Sequence, residues 1–99
     1  MSFLRRVHAE GAGTEANRMT TIVRNMMADK RFTDAIEDMV DASKTAITYA
    51  HISHNEHMLQ FNTLCLNFFQ AIQQKKENEA IDAAHDLVKA GHGKAFGLA

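Results

Sequence analysis

The glycines of this chain lie only near its two ends, and the chain contains no proline. Gly11 and Gly13 precede a long central body, and the other three glycines follow it at positions 91, 93 and 97. Residues 14–90 therefore lack the two residue types that most often interrupt regular backbone structure. Within this body, residues 45–74 carry one formally charged side chain, Glu56. We expect a small all-α protein with one deeply packed helix.

The length of 99 residues is enough for one domain with a modest core. We predict a flexible N-terminal arm over 1–13, a single helical domain over 14–90 and a flexible C-terminal tail over 91–99, with Phe96 as its anchor. Cys65 is the sole cysteine, which excludes an internal disulfide and favours a reducing compartment. The sequence shows neither a signal peptide nor a membrane span. We therefore expect a soluble, cytoplasmic protein.

Apolar residues recur at helical spacing along the whole body. The spacing predicts a bundle of three to four helices, at about 15–29, 34–52, 54–75 and 79–90. Side chains that can cap helix N-termini precede three of them, at Thr14, Thr33 and Asn78. Gly91 is placed to end the last helix in the left-handed conformation.

The two middle helices also fit one continuous helix over 34–75. A single stripe at steps of three or four residues crosses both of them: Ile36, Val40, Ser43, Ile47, Ala50, His54, Met58, Phe61, Cys65, Phe68 and Ile72. Against this, Ser53 and Glu56 have the spacing of a capping box, which marks a helix start. We favour a break near residues 52–54, with the continuous helix as the alternative.

Apolar side chains cover a sector of about 240° on the segment 58–72, where a surface helix needs nearer 100°. This helix must contact several neighbours, from its own chain or from a second copy, and we predict a homodimer. Methionine is common on adaptable binding surfaces. The predicted partner contacts are Met26, Met27, Phe61, Phe68 and Phe69.

Three histidines at steps of three residues suggest a second function. On a continuous helix His51, His54 and His57 share one face, and His85 of the last helix could join them as ligands of a transition metal or haem. If the helix breaks at Ser53, the three histidines instead line a junction that is open to water. The single thiol, Cys65, lies on the apolar stripe and is expected to be a buried, unreactive side chain.

Basic residues near the N-terminus suggest a third function, nucleic-acid binding, although the formal net charge is −1. The candidate contacts are Arg5, Arg6, Arg18 and Arg24. No nucleophile motif, phosphate-binding glycine loop or distinctive carboxylate pair is present. We therefore expect a non-enzymatic protein–protein interaction module, such as a small adaptor, regulator or inhibitor of a larger machine. The metal or haem protein and the nucleic-acid binder are the alternatives.

Overall fold

Four α-helices form the protein, and no strand occurs within residues 8–98. The structure is a computed structural model that describes the backbone of residues 8–98 and the side chains of residues 17–98. The helices are α1 (His8–Ala28), α2 (Lys30–Ile52), α3 (Glu56–Gln73) and α4 (Glu77–Lys89), followed by a short 3₁₀ helix, Gly93–Phe96. The predicted all-α bundle is confirmed, and so is the favoured break between the two middle helices.

The helices pack as a ring in which α3 contacts α2 and α4, and α1 contacts α4 and α2. Residues 53–55 join α2 to α3, and residues 74–76 join α3 to α4. Connections this short place consecutive helices side by side in antiparallel orientation. Helix α2, with 23 residues, is the longest helix in the described part of a molecule that measures 49 × 30 × 19 Å.

The core combines large side chains from α3 with small ones from α4. Phe68 is fully buried, and Phe69 and Ile72 are buried beside it. The facing positions of α4 are alanines, with Leu87 at the end of the row: Ala80, Ala83, Ala84 and Leu87. Because alanine side chains are small, they leave room that larger neighbours can fill, and the phenyl rings of α3 belong to the same core cluster. The broad apolar sector predicted for α3 is therefore covered by its own chain.

Helix α1 begins at His8, seven residues before the predicted start at residue 15. Gly11 and Gly13 lie inside this helix rather than before it. A helical glycine costs about 0.5–1 kcal/mol relative to alanine, which disfavours a helix without preventing it. The predicted arm over 1–13 therefore extends too far along the chain, and residues 1–7 lie outside the described part.

Three helices end with the same pair of backbone hydrogen bonds, the Schellman motif. At α4, the Gly91 amide donates to the Val88 carbonyl at 3.0 Å and the His92 amide donates to the Leu87 carbonyl at 2.9 Å. Gly91 has a φ of +88°, which confirms its predicted left-handed conformation. At the ends of α2 and α3, His54 and Lys75 take this position with φ of +56° and +60°. The chain thus reverses direction twice without glycine or proline.

The side chains that cap the helix starts differ from those predicted. Asp29, not Thr33, caps α2, and its carboxylate accepts a hydrogen bond from the Arg31 amide at 2.9 Å, which lowers the pKa of Asp29. Asn55 caps α3 through a 3.0 Å bond from the Met58 amide. The hydroxyl of Ser53 instead donates to the Tyr49 carbonyl at the end of α2. The capping-box pattern predicted the position of the break correctly, but it assigned the N-cap of α3 to Ser53 instead of Asn55.

Helix α4 starts earlier than predicted, after Lys76, whose side chain makes no capping hydrogen bond. Asn78, the predicted cap, lies within its first turn. The acidic residues there, Glu77 and Glu79, favour the positive end of the helix dipole and supply a start without a capping side chain.

The C-terminal segment is packed rather than free. We call residues His92–Leu98 the C-terminal strap. The side chain of Leu98 is 1% exposed and belongs to the main core, and Phe96 packs against the same core. These contacts favour an ordered segment, because burying apolar side chains offsets the entropy of ordering a short stretch, and the flexibility predicted over 91–99 stays a prediction. Ala99 lies outside the described residues.

Candidate protein-interaction surface

Two of the five predicted partner contacts are core residues. Phe68 is 0% exposed and Phe69 is also buried, so neither side chain reaches the surface of the closed bundle. Met26, Met27 and Phe61 are half-buried and pack against the core. The sequence analysis assigned the three phenylalanines to a partner because the apolar sector of α3 exceeded what one neighbour covers, and the two methionines because methionine is common on adaptable binding surfaces. Packing of α3 against α2, α4 and the strap accounts for that excess within one chain.

A different apolar surface lies at the distal end of α2. Tyr49 is 61% exposed and Ile52 is 72% exposed, and they are the large apolar side chains most open to solvent among residues 17–98. They lie three residues apart and therefore share one face of the helix. Thr45, one turn before Tyr49, is exposed on the same face and uncharged. We call Thr45, Tyr49 and Ile52 the hairpin-tip surface.

This surface lies in a stretch without formal charge, because no Asp, Glu, Lys or Arg occurs between Lys44 and Glu56. The first half of α2 is the opposite, with exposed Asp34, Glu37, Asp38 and Asp41. Sequence analysis missed the tip because Tyr49 and Ile52 fall off the apolar stripe that faces α3. The available signal was an aromatic and a β-branched residue on the solvent face of an uncharged helix end.

The histidines lie at the α2–α3 junction, where the break leaves them open to water. His51 ends α2, His54 occupies the turn and His57 begins α3, and all three are exposed. His85 is half-buried on α4. Within the described residues, no three His, Cys, Asp or Glu side chains converge as metal ligands. The water-exposed alternative is confirmed, and metal or haem binding stays a prediction.

His57 borders a second feature, a shallow cleft of about 500 Å³ between the start of α3 and the strap. The ring centroids of His57 and His92 are 6.2 Å apart, and those of Phe61 and His92 are 4.6 Å apart in an edge-on arrangement. Aromatic pairs at such distances and angles attract each other beyond simple burial. The cleft therefore marks where the strap meets α3.

The candidate nucleic-acid contacts are divided by the structure. Arg5 and Arg6 lie outside the described residues, and Arg18 is exposed on α1. The Arg24 guanidinium donates to a Glu77 carboxylate oxygen at 2.9 Å, which joins α1 to the start of α4. Arg24 thus has an acidic partner within the chain, and nucleic-acid binding stays a prediction.

Cys65 is 3% exposed and lies in the main core. Burial raises the pKa of its thiol to about 11, because removal from water disfavours the thiolate. The expected burial of Cys65 is confirmed, and its low reactivity stays a prediction.

Comparison of the chain with protein-family models, curated proteins and solved structures found no match in any of the three. None of the helices in residues 8–98 combines the length and the apolarity that crossing a membrane requires. Function is therefore inferred from the chain's own residues.

Proposed function

We propose that this chain is a non-enzymatic protein–protein interaction module of the cytoplasm, a small adaptor, regulator or inhibitor of a larger machine that needs no cofactor. The hairpin-tip surface is its contact region. The observation that supports this most directly is the joint exposure of Tyr49 and Ile52 on one face of α2.

Single exposed apolar residues are common on protein surfaces and need no explanation. Here two large ones are adjacent on a helix end that carries no formal charge. The centres of protein interfaces are depleted in charge and enriched in tyrosine and other aromatic residues. The tip has both properties, whereas the first half of α2 carries the exposed carboxylates of Asp34, Glu37, Asp38 and Asp41.

The first partner we propose is a second copy of the chain. A two-fold symmetric interface brings the same surface patch of both copies together. An uncharged patch can meet its own copy without like-charge repulsion, whereas the acidic half of α2 cannot. A charge placed at Ile52 would appear twice in such an interface and would oppose it strongly.

The test is the molar mass of the full chain in solution, measured by light scattering over a range of concentrations. We expect the wild-type mass to rise toward twice that of a single chain, and Ile52→Asp to keep the monomer mass. Ala35→Asp adds the same charge to an exposed position of α2 outside the tip, and it should behave as the wild type. A wild-type protein that stays monomeric throughout, or equal effects of the two variants, would reject self-association through the tip.

A further inference from the structure

The C-terminal strap covers an aromatic groove on α3. We call Phe61, Phe68 and Phe69 the aromatic groove. The ring of Phe96 lies 6.3 Å from that of Phe61, 6.3 Å from that of Phe68 and 5.9 Å from that of Phe69. Leu98 enters the same core two residues later. One phenylalanine and one leucine of the strap therefore fill a site that the sequence analysis predicted as a partner contact.

The strap is attached to this groove by side chains alone. Its backbone amides donate to carbonyls of α4 or of the strap itself: His92 to Leu87, Gly97 to Lys94 and Leu98 to Gly93. Among the described residues, no hydrogen bond or ion pair joins the strap to α1, α2 or α3. The strap can thus leave α3 without breaking any backbone hydrogen bond of α1, α2 or α3, and the backbone bond that ties it to α4 runs from the His92 amide to the Leu87 carbonyl.

Gly91 supplies a hinge for this movement. It is exposed, has a φ of +88°, and a Cβ built there meets nothing within 4 Å. A glycine at a helix terminus absorbs changes in backbone angles that other residues resist. Rotation about Gly91 would break the His92–Leu87 hydrogen bond and lift the strap while α4 keeps its position.

We propose that the aromatic groove is a peptide-binding site that the chain's own strap occupies. The ligand is a short segment of a partner protein with the chemistry of the strap, a phenylalanine and a leucine two residues apart beside glycine. The strap competes with this ligand. The apparent affinity is therefore the intrinsic affinity multiplied by the fraction of molecules whose groove is open. This site goes beyond the proposed function and does not depend on the hairpin tip.

The first test measures opening of the strap in the wild-type chain by amide hydrogen exchange. We expect the amides of His92 and Leu98 to exchange at least about tenfold faster than those of Cys65 and Phe68, because local opening needs less free energy than global unfolding. Equal protection of strap and core would show that the strap opens only when the whole protein unfolds, and this would overturn the proposal.

The second test adds the strap in trans, as a fluorescent peptide of residues 91–98. We expect the full-length Phe96→Ala/Leu98→Ala variant to bind it at least about tenfold more tightly than the wild type does, since its own strap no longer competes. The matched control, Lys94→Ala/Ala95→Ser, changes exposed strap positions and should bind as the wild type. A peptide with serine in place of the phenylalanine and leucine should not bind. Equal binding by variant and wild type, or none, would contradict the proposal.

A wild-type measurement covers the case in which the double variant does not fold. Excess peptide should speed exchange at His92 and Leu98 while Cys65 and Phe68 stay protected, and unchanged strap protection would refute displacement.

Light scattering distinguishes a groove that binds a different protein from a groove that binds a second copy of this chain. If Phe96→Ala/Leu98→Ala abolishes a dimer that Ile52→Asp keeps, the groove binds the strap of another copy. That result would overturn the proposal of a separate partner protein. If self-association through the hairpin tip is disproved, the proposed binding site in the aromatic groove is unaffected.

Discussion

Helix α3 and the tip of the α2–α3 hairpin both carry large apolar side chains, but they differ in what covers them. On α3, neighbouring helices and the strap cover the phenyl rings. At the tip, Tyr49 and Ile52 face water. The neighbouring elements explain the difference: α3 packs against α2, α4 and the strap, whereas α2 packs against α3 and α1. The face of α2 that carries Tyr49 and Ile52 is left exposed.

The largest expected difference between the core of α3 and the tip is in stability. Phe68→Ala should lower the free energy of unfolding by about 3–5 kcal/mol, since it removes a fully buried ring and leaves a cavity. Ile52→Ala at the tip should change it by less than about 0.5 kcal/mol. Chemical denaturation, at concentrations too low for self-association, measures both. Similar losses would mean that Ile52 is buried rather than exposed in solution.

Thiol reactivity compares a buried and an exposed position of the same helix, α3. With a pKa of about 11, Cys65 is about one-thousandth thiolate at pH 8, whereas an exposed thiol of ordinary pKa is about one-quarter thiolate. Alkylation of Cys65 by iodoacetamide should therefore be at least about 100-fold slower than that of a Thr63→Cys thiol in a Cys65→Ser background, since Thr63 is exposed on the same helix. The Cys65 rate should rise about tenfold per pH unit until the pH approaches 11. A rate that levels off near pH 9 would show that water reaches the thiol.

Sequence reasoning found what depends on local pattern and missed what depends on distant contacts. Helical spacing predicted the helices, and Gly91 marked the end of α4 because left-handed backbone favours glycine. Nothing near His54 or Lys75 signals left-handed backbone, so those turns are set by packing of the hairpin. The burial of Leu98 is equally invisible, because its place in the core depends on helices far away in sequence.

The same limit applies to the candidate site. Periodicity predicted Phe61, Phe68 and Phe69 as partner contacts, but it could not show that Phe96 of the same chain packs against them. The exposure of Tyr49 and Ile52 depends on which helices pack against α2, and local sequence patterns do not show that arrangement.

The junction at the tip can be tested through its cap. Asn55→Ala should cost about 1 kcal/mol, because the Asn55 side chain satisfies the Met58 amide at the start of α3. Ser53→Ala should change stability by less than about 0.5 kcal/mol, since its hydroxyl bonds to an exposed carbonyl. Thermal or denaturant unfolding measures both. The reverse order of effects would restore the capping box that the sequence predicted.

The smallest expected effect is a gain in stability, at the turn where the tip reverses. His54 is exposed and holds a φ of +56°, which costs an L-residue about 1–2 kcal/mol relative to glycine. Glycine also has more freedom in the unfolded chain, which returns about 0.4–1 kcal/mol of that difference. His54→Gly should therefore stabilise the protein by roughly 0.5–1 kcal/mol. His51→Gly, three residues earlier in the helical part of α2, should destabilise it by up to about 1 kcal/mol, since glycine there lowers helix propensity. Unfolding curves of the two variants should move to opposite sides of the wild type. Two shifts of the same sign would mean that the imidazole of His54 makes a favourable contact that outweighs its backbone strain.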